Sequence, residues 1–490
     1  MKIVLVSSEV DPFAKTGGLA DVCGSLPLEL RKLGHEVSVF LPAYRSIWRT
    51  NASIEFAPVQ FTVPIGSRAV EGRLLRSYLP GSDVPIYFVH QPAYFDREHL
   101  YGSGREDYPD NCERFVFFCR AVLESIRLLG LHPELLHCND WQTGLIPALQ
   151  RLEAPGPGDA PTARTLLTIH NLAYQGCFGS WAMELTGIDW KHFQWQEMEF
   201  YGQLNLLKTG IVFADAISTV SPRYAREIQT PEFGHGLDGV LRSRAADLIG
   251  ILNGIDTEKW NPASDPHLPR NYDVGNWREG KSASKQLVQR ALGLPESRET
   301  PLIGCVGRLV SQKGWDLILA ALERLLLTSD VQWAVLGTGD WEIQQGLEHL
   351  RRRHPQRLGI RLEFSEGLAH LIEAGSDLFL MPSHYEPCGL NQMYSLRYGA
   401  VPVVHSTGGL ADTVVDTHHE SLHNLTANGF VFHEYHMEAM VDALRRAVQI
   451  QQDHPRVWDQ IVATGMREDW SWARSARHYE LLYRRLLTDE

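Results

Sequence analysis

Several short stretches of this 490-residue sequence gather glycines, cations and a carboxylate in patterns suited to polar and anionic ligands. The first is Lys15-Thr16-Gly17-Gly18-Leu19-Ala20-Asp21, which follows an apolar run and opens a helix-like segment. Adjacent glycines let the backbone approach an anion closely, and a helix start supplies unpaired N–H groups and a favourable dipole. Lys15 adds a point charge; the alternative is a Gly-Gly turn that is purely structural. The string is neither the dinucleotide fingerprint nor a Walker loop. The second stretch, Gly307-Arg308-Leu-Val-Ser-Gln-Lys313-Gly314, sets two cations five residues apart. Both can reach one diphosphate, Arg308 bidentately and Lys313 as a point charge, or both are solvated surface cations.

The third, Ser383-His-Tyr-Glu386-Pro-Cys388-Gly389-Leu390-Asn-Gln392, offers a carboxylate near a helix entrance. Glu386 either accepts hydrogen bonds from sugar hydroxyls or caps the helix. A fourth, Thr407-Gly408-Gly409-Leu-Ala-Asp412, repeats the Thr-Gly-Gly-Leu-Ala-Asp string of residues 16–21 and suggests a second anion-facing helix start. Two histidines, His137 in Leu136-His137-Cys138-Asn139-Asp140-Trp141 and His170 in Thr168-Ile169-His170-Asn171, end strand-like runs. The residues around 137–139 lack four convergent ligands at zinc spacing, so no metal site is expected.

Glycosyl transfer is the chemistry these parts can run. A departing nucleoside diphosphate builds negative charge, which Arg308, Lys313, Lys15 and the amides of Gly17 and Gly18 can stabilise. The sugar gains oxocarbenium character as that bond breaks. No carboxylate pair stands out as the nucleophile and acid of a glycosidase, so positioning and electrostatics must supply most of the barrier lowering.

The elements that carry these residues alternate short apolar runs with helix-length amphipathic segments, the mark of α/β layering around parallel sheets. In the first half, strands are expected at 2–7, 36–41, 86–90, 135–138, 164–169 and 216–219, with a hairpin-like insertion between 54 and 78. Helices are expected at 19–33, 110–129 and 143–152. Residues 154–161 read as a Pro/Gly-rich surface loop. After a polar stretch at 261–300 the pattern restarts, with strands at 302–306, 333–336, 361–364, 378–381 and 402–405. Helices follow at 315–327 and 437–451. Trp472, Ala476, Tyr479, Leu482, Tyr483 and Leu486 recur at helical spacing in the last segment. Two doubly wound α/β domains facing across a cleft are expected, with ligands at the carboxyl ends of the strands.

Composition narrows the partners. A net charge of −13 argues against non-specific nucleic-acid binding. No run approaches the roughly 20 apolar residues of a membrane span, and the N-terminus reads as a buried strand, not a signal peptide. Seven scattered cysteines without a C-x-x-C pair fit a reducing, cytoplasmic setting. Nothing in the sequence specifies an oligomeric state.

Taken together, these motifs and their order resemble the bacterial glycogen synthase and plant starch synthase family, glycosyltransferase family 5, over the whole chain. The matching strings are Lys-Thr-Gly-Gly-Leu-Ala-Asp, His-x-x-Asp-Trp, Thr-Ile-His-Asn, Asn-Gly-Ile-Asp, Gly-Arg-Leu…Gln-Lys-Gly, Glu-Pro-Cys-Gly-Leu and Thr-Gly-Gly-Leu. The resemblance implies a GT-B fold of two Rossmann-like domains. Residues 1–252 would form the acceptor-side domain, completed by a C-terminal helix at 468–490, and residues 253–467 the nucleotide-sugar domain. It implies retaining transfer of glucose from ADP-glucose to the non-reducing 4-hydroxyl of an α-1,4-glucan, with no metal or other cofactor.

By the same resemblance, Lys15 and the Gly17 and Gly18 amides touch the donor phosphates, and Arg308 and Lys313 neutralise the diphosphate. His170 holds the donor glucose near its 6-hydroxyl while its carbonyl faces the anomeric carbon. Glu386 and the backbone of Cys388, Gly389 and Leu390 fix the sugar. Asp21, Asp140 and Asn253 line the donor or acceptor side. Phe364 falls where the family places an aromatic ring against the base, with Thr338, Gly339 and Asp340 close by. Tyr94 and Phe95 are candidates for stacking on the acceptor glucan.

The chain departs from the family at two places. His405-Ser406 stands where bacterial members often have Arg before Thr-Gly-Gly-Leu, and Asn139 replaces a commonly seen His. Tyr394 occupies the position where related retaining families carry a second acid, as expected for glucan synthases. Rival readings are a UDP-glucose-using or small-acceptor retaining glycosyltransferase, a catalytically dead glucan-binding protein, and an NAD-dependent oxidoreductase. The last lacks the dinucleotide fingerprint, and the dead copy would be free to lose Lys15, His170, Arg308, Lys313 or Glu386, all of which are present.

Overall fold

A computed structural model describes residues 1–103, 106–153 and 162–488; the expected loop at 154–161 lies outside the described residues. The chain forms two compact units. The first comprises Met1–Val220, Ala225–Gly254 and the C-terminal residues from Trp472 on; the second comprises Ser221–Tyr224 and Ile255–Ser471.

The first unit is built on a nine-stranded sheet. Its order runs Leu248–Gly250, Ala216–Thr219, Arg164–Ile169, Leu135–Asn139, Lys2–Val6, Glu36–Pro42, Pro85–His90, Arg68–Tyr78 and Glu55–Ile65. The first seven strands pair in parallel and read as near-continuous apolar runs, because both faces are covered. The expected insertion at 54–78 is an antiparallel hairpin that extends the edge of this sheet. Lys2–Val6 pairs with both Glu36–Pro42 and Leu135–Asn139, so the strand order reverses there. Loops from neighbouring strands diverge at such a reversal and leave room for a ligand at the carboxyl ends.

The C-terminal helix, Trp472–Thr488, buries Trp472, Ala476, Tyr479, Leu482 and Tyr483 within the first unit and packs on the helix Gly18–Lys32. Glu480 also meets the Nε2 of buried His35 at 3.2 Å. Residues 468–471 belong to the second unit, so only the part from Trp472 completes the first.

The second unit holds a six-stranded parallel sheet in the order Leu358–Arg361, Gln332–Leu336, Leu302–Val306, Leu378–Met381, Val401–His405 and Phe430–Phe432. Here the reversal lies at Leu302–Val306. The strand expected at 361–364 sits three residues earlier. Leu358 and Ile360 are buried in the core of this unit, whereas Phe364 is 93% exposed in the loop that follows. Among the described residues, no helix is long and apolar enough to cross a membrane.

Candidate functional site

In the first unit the candidate residues collect at the carboxyl ends of three adjacent strands. After Lys2–Val6 the chain passes Glu9 before entering the helix Gly18–Lys32. The Glu9 side chain is buried, and its carboxylate accepts four hydrogen bonds. They come from the Thr16 amide at 2.6 Å, the Gly17 amide at 3.1 Å, the Thr16 hydroxyl at 2.5 Å and the Tyr101 hydroxyl at 2.8 Å. The Thr16 and Gly17 amides of the glycine loop therefore serve a carboxylate of the protein itself, where the composition points to the phosphates of a ligand. Lys15 Nζ lies 2.5 Å from Asp21 Oδ1 and 3.8 Å from Asp11 Oδ1, on the exposed rim of this loop. Glu9 was not among the residues expected from sequence; an acid directly after a buried strand, seven residues before Thr16, was the available signal.

Asp140 and His170 end two neighbouring strands and are joined directly. The His170 amide donates to Asp140 Oδ1 at 2.7 Å, and Asp140 takes a positive φ of 56° to present its carboxyl. Protein packed around that carboxyl raises its pKa to about 7, against the lowering effect of the His170 and Asn171 amides. The same enclosure lowers the pKa of His170 to about 3, so the ring is neutral at physiological pH. Its Nε2 lies 2.9 Å from Oδ1 of Asn139. Asn253 is buried, and its enclosed Oδ1 has no hydrogen-bond partner.

His137 has a different fate. It is fully buried, with Nδ1 2.8 Å from the Tyr483 hydroxyl and Nε2 2.6 Å from Thr168 Oγ1, which in turn meets Ser218 Oγ at 2.6 Å. This chain fastens the C-terminal helix to the sheet, so His137 is a structural residue. Tyr94 and Phe95 correct the expectation of acceptor stacking. Both rings are buried, among Tyr44, Phe117 and Phe118, and the Tyr94 hydroxyl donates to Glu113. Neither offers a free face to a sugar, because the short helix Pro92–Phe95 turns them into the core.

In the second unit, three loops leave the carboxyl ends of adjacent strands. Residues 307–310 and 337–340 are zipped together: the Leu309 amide donates to Thr338 O at 2.9 Å and the Asp340 amide to Leu309 O at 2.8 Å. That fixes Thr338, Gly339 and Asp340 beside Arg308, whose guanidinium is exposed and donates to Gln312 Oε1 at 3.3 Å. Phe364 stands in the next loop with its ring free.

Lys313 reaches the third loop. Its Nζ lies 2.5 Å from Oε2 of Glu386, and the same oxygen accepts from Ser383 Oγ at 2.9 Å. Gly314 makes this approach possible: φ is 78°, and a Cβ there would lie 2.1 Å from Pro382 O. Glu386 is buried and does not cap the following helix, Asn391–Tyr398, whose start has no side-chain cap.

The second Thr-Gly-Gly-Leu string does not face an anion with its Gly409 amide. That amide donates to Glu386 O at 3.0 Å, and a Cβ on Gly409 would lie 1.9 Å from Cys388 O. The glycines thus let the helix start press against the backbone of Glu386, Pro387 and Cys388 and hold it in place. His405 Nδ1 donates to Ser383 O at 2.8 Å, which steadies the same loop from behind. Tyr394, at the position of a second acid in related families, stacks on Trp260 at 3.8 Å. Among the described residues, no group of three or more His, Cys, Asp or Glu side chains could hold a metal ion.

Within the second unit, the exposed Arg308 guanidinium and the Lys313-clamped carboxylate of Glu386 are chemically suited to an anionic, hydroxyl-bearing ligand at these strand ends. The chain matches two family models, the starch synthase catalytic domain over residues 2–243 and glycosyl transferases group 1 over residues 292–461. It is 48% identical to a glycogen synthase of Rhodopirellula baltica, covering 100% of this chain and 98% of that one. It is 50% identical to a glycogen synthase of Anaeromyxobacter dehalogenans, covering 99% and 100%. The catalytic domain of starch synthase IV from Arabidopsis thaliana, solved bound to ADP and acarbose, superposes with a TM-score of 0.90 at 33% identity, covering 99% of each chain.

Proposed function

The chain belongs to the family of bacterial glycogen synthases and plant starch synthases, glucosyltransferases of the GT-B fold, and on that premise we propose the reaction and the residues that carry it. Glucose passes from ADP-glucose to the non-reducing 4-hydroxyl of an α-1,4-glucan, with retention at the anomeric carbon and release of ADP. The Lys313–Glu386 contact beside Arg308 carries this reading, because it sets a sugar-binding carboxylate next to two cations at the ends of adjacent strands. The Arabidopsis relative's complex with ADP supports adenine as the base.

In this reading the diphosphate enters between Arg308 and Lys313, with Lys15 and the Gly18 amide as further donors. As the glycosidic bond breaks, charge moves onto the diphosphate, and these groups stabilise it without reorganising. Glu386, held by Lys313 and Ser383, accepts from hydroxyls of the glucose, while the backbone of Cys388, Gly389 and Leu390 closes on the ring. His170 faces the 6-hydroxyl, and its carbonyl lies toward the anomeric carbon, where positive charge develops. Phe364 stacks on the base near Thr338, Gly339 and Asp340; Asp21, Asp140 and Asn253 complete the polar lining. The cations do the work for which other transferases recruit a divalent metal, so the enzyme needs no metal or organic cofactor. Donor sugar and glucan are its partners, and the cytoplasm is where it meets them.

Transfer of label from ADP-[14C]glucose and UDP-[14C]glucose to glycogen by the purified chain tests the proposal. Polymer labelling with the adenine donor at the higher rate is expected; labelling with neither donor refutes it.

A further inference from the structure

We propose that Asn139 is a positioning residue that fixes the tautomer and orientation of His170. The proposal rests on the reading that His170 holds the donor glucose.

Asn139 is the last residue of the strand Leu135–Asn139 and is fully buried. Its Nδ2 lies 3.0 Å from Val6 O and 3.4 Å from His137 O. Carbonyl oxygens only accept, so the nitrogen of the carboxamide must face them, and Oδ1 must face His170. An amide oxygen also only accepts. His170 Nε2, 2.9 Å away, must therefore carry the proton, and the lone pair of the neutral ring lies on Nδ1.

The backbone of His170 is held separately by Asp140, the residue after Asn139, through the 2.7 Å bond from its amide. Two consecutive residues of one strand end thus grip the ring and the main chain of a histidine on the next. A ring held at both places meets its substrate in one orientation, with Nδ1 as an acceptor. A sugar hydroxyl then has to donate to it, which leaves that hydroxyl's lone pairs for other partners. Burial keeps the ring neutral and so preserves the lone pair.

The substitution noted in the sequence fits this function. A neutral histidine at position 139 has one N–H and one lone pair. It can donate to Val6 O and accept from His170 Nε2, the same two tasks that the carboxamide performs. A leucine of similar volume can do neither.

The test uses the full chain labelled with 15N-histidine, with His170→Gln to assign the His170 signals among the 21 histidines. The wild type is expected to show a proton on Nε2 and none on Nδ1. Asn139→Leu is expected to mix the tautomers and to lower kcat about 100-fold with a smaller change in donor KM, as misplacement of a reacting contact does. Asn139→His is expected to recover the Nε2–H tautomer and a kcat within about tenfold of wild type. A wild-type Nδ1–H tautomer overturns the proposal whether or not Asn139→Leu folds. So does Asn139→Leu with wild-type tautomer and kcat. Wild-type transfer by His170→Ala overturns the assignment of His170 and, with it, the task of Asn139. Loss of transfer in His170→Ala beside an unaffected Asn139→Leu overturns the Asn139 role alone.

Discussion

Lys313 Nζ and Glu386 Oε2 lie 2.5 Å apart, joining the loops that follow two neighbouring strands of the second sheet. The lysine side chain is 26% exposed and the glutamate 7%, so the cation still faces solvent while the carboxylate is enclosed. Removing the cation therefore does two things. Lys313→Ala loses charge stabilisation on the leaving diphosphate, which is worth about 10²–10³ in kcat for a single well-placed donor. It also leaves Glu386 enclosed without its partner, at a cost of about 1–3 kcal/mol. Lys313→Met combined with Glu386→Gln should regain most of the lost stability and none of the activity, read by thermal unfolding and label transfer.

Gly409 tests whether the backbone around Glu386 needs its support. Gly409→Ala puts a methyl group where Cys388 O now lies, 1.9 Å from the built Cβ. The loop must move, and the expected result is a loss of about 100-fold in kcat/KM in a chain that keeps its far-UV circular dichroism. Unchanged kinetics would show that the loop tolerates displacement.

Phe364 offers a graded test. Its ring is 93% exposed, so Phe364→Ala should leave stability unchanged. If it stacks on the adenine, donor KM should rise about 3–10-fold at constant kcat, the equivalent of a stacking contact. An unaltered KM removes the base-stacking role.

Asp140 and His137 pull the pH dependence of stability in opposite directions. Enclosure raises Asp140 from 3.8 to about 7, so the folded chain holds a proton that the unfolded chain releases. This contribution is full below 3.8 and is lost as pH rises to about 7. Burial, and then repulsion from a charged His170, lower His137 from 6.5 to about 3. Its contribution is present above 6.5 and is lost as pH falls toward 3. The melting temperature of Asp140→Asn relative to wild type should therefore rise between pH 4 and pH 7 and then level off. A difference that is flat with pH would contradict the raised pKa.

Tyr483→Phe separates structure from catalysis at His137. It strips a partner from Nδ1 of a fully buried ring, at about 1–3 kcal/mol, and should lower the melting temperature with kcat unchanged. A lower kcat at full stability would return His137 to the chemistry.

What could be read before folding follows a physical division. The runs 164–169, 216–219, 302–306 and 378–381 emerge as strands at the expected bounds because a strand buried on both faces is a short, unbroken apolar run. Residues 358–364 failed the same reading. Leu358-Gly-Ile360 and Leu362-Glu-Phe364 alternate equally well, and only the sheet decides which pair is covered. Local motifs likewise place Glu386, Lys313 and His170 after strand ends, where the structure has them, since glycines and charges there carry their own signal. The contacts that tune them are non-local. Asn139 meets His170 only after their two strands align, and no spacing rule announces that contact. Tyr94-Phe95 shows the converse: an aromatic pair reads the same whether it lines a groove or fills a core.

The central claim, that the clamped carboxylate of the second unit fixes the glucose during transfer, is tested most directly by the transfer rate from ADP-[14C]glucose to glycogen in Glu386→Ala beside the wild type. We predict a fall of about 10³-fold or more in a variant with wild-type circular dichroism. A folded Glu386→Ala chain that labels the polymer at the wild-type rate would contradict the account.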